Sequence, residues 1–263
     1  GEPAMNTPML RAITIASTAA IVMSASAPSL AGNLSLATGL DFTRGSYGNA
    51  EQTTTVAAPL VVKYSNGPLV LKASTALVTM SGPGNVIGAG DTAFSTQAAA
   101  GARRTVTGYS DLVIGATYTV HERDGWLVDV TGKVKLPTAD QGKGLSTGKS
   151  DVTALVDIFK SSGPWVYNIG GGYKWVGNPD GASFRNISIF TTGLSSAVSP
   201  SMRVGGSYDY AQSVIAGRPP REEIMVYALN KLGAGFKLQT YASAGLNSNS
   251  PRAGLGLVVS REF

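Results

Sequence analysis

The sequence predicts an all-β fold, a transmembrane antiparallel up-and-down β-barrel of about twelve strands behind an N-terminal leader. Three observations carry that prediction. The first is strict alternation in the stretch from Ser110 to Asp151, where Leu112, Ile114, Ala116, Tyr118 and Val120 oppose Asp111, Val113, Gly115, Thr117 and Thr119. After the polar turn Glu122-Arg123-Asp124-Gly125 it resumes, with Trp126, Val128, Val130, Gly132, Val134 and Leu136 against Asp129, Thr131, Lys133 and Lys135. The second is strand length, roughly ten residues with a nearly charge-free apolar face, which suits a tilted bilayer crossing better than a soluble sandwich. The third is the connections: SNGP, ERDG, SSGP, SPS and NKLG are short and fall at one phase, with longer loops between them.

Residues 1–31 read as a leader and residues 32–263 as the barrel. Arg11 precedes the apolar run Ala12 to Met23, and Ser29-Leu30-Ala31 places small residues where a signal peptidase reads them, so cleavage is expected before Gly32.

The first strand sets Leu34, Leu36, Thr38, Leu40 and Phe42 against Ser35, Ala37, Gly39, Asp41 and Thr43. In the second, Val56, Ala58, Leu60, Val62 and Tyr64 share a parity and Lys63 takes the other; in the third, Leu69, Leu71, Ala73, Thr75 and Leu77 oppose Lys72 and Ser74. A Gly, Ala, Thr and Ser-rich piece from Ser81 to Tyr109 then reads as one long structureless loop, a length often tied to function. Beyond the Ser110 to Pro137 hairpin and a Gly/Lys loop, the sixth strand sets Val152, Ala154, Val156 and Ile158 against Asp151, Thr153 and Asp157. The seventh carries Trp165, Tyr167, Ile169, Gly171, Tyr173 and Trp175 on one parity, rings at both ends and slim residues between, as two interfacial girdles require. Strands follow at Ile187 to Ala197, Met202 to Tyr210, Glu223 to Leu229, Phe236 to Ala242 and Ala253 to Phe263; the parity of Glu223 to Leu229 is not assignable from its residues. Phe263 is a candidate signal for the outer-membrane assembly machinery, since bacterial transmembrane barrels resemble one another in ending on an aromatic, although Arg261 departs from the accompanying apolar alternation.

Composition narrows the chemistry. With 14% charged residues and 33 glycines the chain is not disordered, and Cys 0 removes disulfides and thiolate chemistry. A single histidine, His121, leaves no His-rich metal site, and no cofactor is expected. The net charge of +5 is scattered, without the basic stripe interleaved with aromatics of a nucleic-acid binder. GKGLSTGKS lacks the spacing and following helix of a phosphate loop.

The segments PLVVKYSNGPLVLKAS, SGPGNV, SDLVIGATY and above all KVKLPTADQGKGLSTGKSDV are similar to the outer-membrane family named for the meta-pathway of phenol degradation. The resemblance spans Val56 to Asp157, with Ser110 where glycine is frequent before Asp111. It implies a barrel that carries aromatic compounds across the outer membrane.

The expected partners are therefore the lipid bilayer of a bacterial outer membrane, the assembly machinery and a small-molecule solute, with no nucleic acid. Candidate lumen residues are Asp41, Lys63, Lys72, Asp111, Asp129, Lys133, Lys135, Asp157, Lys174, Arg203, Asp209 and Lys237. They either line a polar passage or pair across a closed interior, since charges shielded from water need partners. Candidate girdle residues are Tyr64, Trp126, Trp165, Tyr167, Tyr173 and Trp175. The expected function is a channel for passive diffusion of small, hydrophobic or aromatic solutes. Its rivals are a closed structural or adhesive barrel and an outer-membrane enzyme; for the enzyme, His121 beside a turn is the only imidazole and Glu222-Glu223 is one candidate carboxylate pair, and no enzymatic activity is expected.

Overall fold

A computed structural model describes residues 32–88, 93–96 and 101–263; the expected leader, residues 1–31, lies outside the described residues. The strands are β1 (Asn33–Gly45), β2 (Thr53–Asn66), β3 (Leu69–Pro83), β4 (Val86–Ile87), β5 (Phe94–Ser95), β6 (Arg103–Tyr109), β7 (Leu112–Arg123) and β8 (Trp126–Leu136). They continue as β9 (Asp151–Ser162), β10 (Trp165–Trp175), β11 (Ile187–Ala197), β12 (Met202–Ala211), β13 (Arg221–Gly233), β14 (Phe236–Gly245) and β15 (Ala253–Glu262). Each long strand pairs antiparallel with its chain neighbours, and β15 returns to β1 from Ser35↔Glu262 to Arg44↔Ala253. Because β6 and β7 share one place in the wall, both against β3, the ring closes as a twelve-strand barrel. Closure leaves no edge in the hydrocarbon layer, which lipid demands because it cannot hydrogen-bond an open strand.

Alternation in sequence becomes alternation in burial. On β2, Thr53, Thr55, Ala57 and Val61 are buried while Val56, Leu60, Val62 and Tyr64 are exposed. On β9, Asp151, Leu155, Asp157 and Phe159 are buried while Val152 and Val156 are exposed. The exposed faces form an apolar belt, with Leu40, Leu71, Ile114, Val130, Ile169, Phe190, Val226 and Leu257 among its members. Leaving one such side chain in water rather than burying it costs roughly 1.5–3 kcal/mol, so a continuous belt marks a lipid-facing wall.

The short turns are set by backbone chemistry. Arg123 pairs with Trp126, so Asp124 and Gly125 alone make the β7–β8 turn, both at positive φ (52° and 75°). That is the type I′ geometry whose twist matches flanking strands, and Asp-Gly is among its favoured sequences. The chain ends at this same face of the barrel: the Phe263 amide donates to the Leu34 carbonyl at 2.8 Å.

Two readings change. The Ser81 to Tyr109 piece is not one structureless loop: β3 runs on to Pro83, and β6 pairs with it from Leu77↔Tyr109 to Pro83↔Arg103. Its alternation escapes the lipid rule because the polarity is inverted. Arg103, Thr105 and Thr107 are exposed, Val106 packs inward, and the Thr79 and Thr107 hydroxyls bond outside at 3.0 Å. On β13, Glu223 is buried with Ile224 and Val226 exposed, and Met225 and Tyr227 share Glu223's parity; apolar residues on both faces hid the register. Arg261, the departure from the terminal apolar pattern, lies over the rings of Phe236 and Phe263 at 5.1 and 4.8 Å, its stem covering apolar surface while its charge meets the ring faces.

Candidate functional site: the barrel interior and its outer mouth

The inward parity of the strands collects the charged side chains in a few groups. The densest is a clasp at the long-loop end. Lys135 Nζ lies 3.1 Å from Asp111 and 3.4 Å from Asp151, and Lys174 Nζ lies 3.4 Å from Asp151. Asp111 also accepts from Ser146 Oγ at 2.8 Å and from the Ala139 amide at 3.0 Å, and Lys135 donates to Thr147 Oγ1 at 3.3 Å. Three of the sequence-selected residues, Asp111, Lys135 and Lys174, therefore meet around Asp151, and Asp111 and Lys135 tie the 137–150 loop to the wall. Opposite Leu112, β8 ends at Leu136, so β6 has a strand on one side only. The loop covers its other edge: Lys143 Nζ donates to the Thr107 carbonyl at 3.0 Å, and Leu145 packs against Gly108.

A second group spans β1 and β12 to β15. Tyr241 donates its hydroxyl to the buried Asp41 carboxylate, Asp209 accepts from Thr191 and Ser207 at 2.8 and 3.0 Å, and Arg221 pairs with Glu223 at 3.2 Å. Arg203 donates to Ser195 Oγ at 2.8 Å. Near the short-turn end Lys237 pairs with Glu262 at 3.2 Å, and on β8 and β9 the opposed Asp129 and Asp157 are buried, Asp129 accepting from Thr119 at 2.6 Å. The remaining three, Lys63, Lys72 and Lys133, share one cross-strand row. Tyr227, Tyr241, Arg221, Asp151 and the interior role of Glu223 were missed from sequence: the tyrosines read as generic strand aromatics, and Glu223, noted only as part of an acidic pair, lay in the strand of unassigned parity.

The candidate girdle residues Tyr64, Trp126, Trp165, Tyr167, Tyr173 and Trp175 are all exposed. Lys160 Nζ sits 4.7 Å from the Trp126 ring centroid, and the Tyr173 and Trp175 rings meet edge-on at 5.1 Å.

At the long-loop end the mouth is packed. Tyr47, Ala57, Ala76, Val78, Met80, Val86, Ala93 and Leu145 form one buried apolar cluster, made by the wall and the loops after β1, β3 and β8. Arg218, from the loop after β12, donates to the carbonyls of Tyr47 at 3.3 Å and Thr96 at 3.1 Å. Asn49 donates to Ser95 Oγ at 2.7 Å, and Asn85 to Asn49 Oδ1 at 3.0 Å. One guanidinium thus holds two loops together. Replacing Arg218 with alanine is expected to loosen this packing and raise single-channel conductance in planar bilayers severalfold, with little change in the heat-modifiability of the barrel. Unchanged conductance would place the closure on the apolar contacts alone.

No family model matches the chain, and no curated protein matches it. Among solved structures, an outer membrane channel from Pseudomonas putida F1 superposes with a TM-score of 0.70 at 16% identity, covering 90% of this chain and 97% of that one. The fold is that of a bacterial outer-membrane barrel. The NanC porin superposes with a TM-score of 0.57 at 10% identity, covering 88% of this chain and all of the other (100%). At these identities the likeness concerns the fold.

Proposed function

We propose that the chain is a channel of the bacterial outer membrane that passes small solutes, hydrophobic or aromatic compounds among them, by passive diffusion. The observation that carries this reading is a closed ring with an apolar belt outside and paired charges inside. A core built only to hold shape is cheaper in apolar residues, because each charge taken from water must be matched. A twelve-strand ring is wider than eight-strand barrels that side chains fill, and narrower than sixteen-strand porins, which suits one small solute at a time. The twelve candidate charges act as lumen lining in this reading, the six exposed rings as the interfacial girdles, and Phe263 as the assembly signal. Lys135 of the KLPT segment anchors the clasp, and the sequence resemblance of that segment is what supports membership of the phenol meta-pathway family.

The test is flux into proteoliposomes containing the refolded chain, comparing a small uncharged aromatic with a sugar of similar mass. Aromatic flux above protein-free liposomes without sugar flux is the expected result. The packed outer mouth favours one other reading, a closed structural barrel. A folded, heat-modifiable protein that passes neither solute, even with Arg218 replaced, would establish that reading instead.

A further inference from the structure

We infer that the inner wall formed by β2, β3, β7 and β8 carries an anion site, built by Lys63, Lys72 and Lys133, that takes the carboxylate of a small, mostly apolar monoanion such as an aromatic acid; this deepens the channel reading and rests on it. The register places Lys63 directly opposite Lys72, Lys72 opposite Gly115, and Gly115 opposite Lys133. Neighbouring strands lie about 4.8 Å apart, so three ammonium groups fall within one row about 15 Å long. Gly115 puts no side chain between the second and third, and a Cβ there would lie 3.3 Å from Lys133 Cγ.

Like charges placed directly opposite on a sheet are destabilising, and inside a barrel they are screened less than at a water-facing surface. The interior solves the same problem elsewhere by neutralisation. Lys135 and Lys174 have Asp111 and Asp151, and Lys237 has Glu262. At the row, Asp157 interacts with Lys133, and Asp157 itself faces Asp129 toward the short-turn end of the wall. Lys72, the middle lysine, instead has Lys63 and Lys133 as its charged neighbours and, among the described residues, no carboxylate within salt-bridge distance. Lys72, held between two like charges without a carboxylate of its own, is what an incoming anion would complete.

The surrounding wall selects the rest of the ligand. Just outward of Lys63 on the same parity come Val61, Pro59 and Ala57, and outward of Lys72 come Ser74, Ala76 and Val78. Val61 clusters with Ala37 and Val258, and Ala57, Ala76 and Val78 belong to the apolar cluster of the mouth. An apolar body directed outward with its charge on the lysines meets both surfaces. A sugar offers nothing to the apolar side, and an uncharged aromatic nothing to the lysines.

The experiment compares benzoate with benzyl alcohol, nearly the same shape without the charge. Calorimetric titration of the folded barrel in detergent with benzoate should give saturable binding that weakens about tenfold in Lys72→Gln, the size of one lost charge-assisted contact. Lys72→Arg should retain it, and benzyl alcohol should bind neither protein measurably. In bilayers under a salt gradient, the reversal potential should move toward cation selectivity in Lys72→Gln. Equal benzoate binding by wild type and Lys72→Gln, with both heat-modifiable, would overturn the site. Because titration needs no transport, wild-type binding without flux would sink the channel reading and leave the anion site standing, whereas flux without benzoate binding would do the reverse.

Discussion

Substituting alanine for Gly256 is expected to cut solute flux severalfold while leaving a folded barrel. One cross-strand row runs Asp41, Gly256, Tyr241, Tyr227, Gly205, Ser195. The phenol end of Tyr241 lies against Gly256 and its hydroxyl reaches the Asp41 carboxylate, and the phenol end of Tyr227 lies against Gly205. A Cβ on Gly205 would meet the Tyr227 phenol at 2.5 Å, and one on Gly256 would clash with the hydroxyl end of the Tyr241 ring. The glycines are therefore the slots that keep two phenols against the wall. With alanine at 256 the ring must swing into a lumen that a twelve-strand barrel leaves narrow, and Asp41 loses its donor. Losing a hydrogen bond to a buried carboxylate costs roughly 1.5–3 kcal/mol, so the urea midpoint should fall along with the flux. Adding Tyr241→Ser to Gly256→Ala separates the two effects: flux should recover because the ring is gone, while stability stays low because Asp41 is still short of its donor. A single variant with wild-type flux and midpoint would mean that the ring does not depend on the glycine slot.

That row also shows where sequence reading stops. The side a residue faces was legible because lipid imposes one rule on every strand: the outward parity must be apolar, so Asp41, Lys63 or Asp157 had to point inward. Their partners were not legible. Tyr241 and Asp41 are 200 residues apart and meet only because the last strands close on the first. Lys63 and Lys72 are opposed only because the SNGP turn fixes the β2–β3 register, and a slip of one residue would have put either one in lipid. Where the lipid rule lapses, so did the reading. Beyond the belt β6 turns polar residues outward and Val106 inward, and on β13 Met225 and Tyr227 place apolar bulk inside. The packed mouth was out of reach for the same reason, since Tyr47 and Arg218 lie in loops and Val86 in a two-residue strand, none with a period to betray what they touch.

Lys135→Met is expected to be among the most destabilising single changes in the wall. Lys135 sits between two carboxylates whose side chains are only 9% and 7% exposed, Asp111 and Asp151. Removing one member of a buried pair leaves an uncompensated charge and typically costs ~3–5 kcal/mol. Asp151 would keep Lys174 at 3.4 Å and the Gly177 amide at 3.1 Å, so the unmatched charge falls mainly on Asp111. Asp111 holds Ser146 and Ala139, and its distress should therefore release the 137–150 loop before it melts the barrel. Limited trypsin digestion should then cut at Lys143 or Lys149 in the variant while the wild type resists, and the urea midpoint should fall. Adding Asp111→Asn removes the unmatched charge and should recover part of the loss, a coupling that a double-mutant cycle reads directly. If the single and double variants are equally stable and equally resistant to trypsin, the loop is held by Lys143 on the Thr107 carbonyl and by Leu145 against Gly108. The four charges would then pair within the interior without holding the loop.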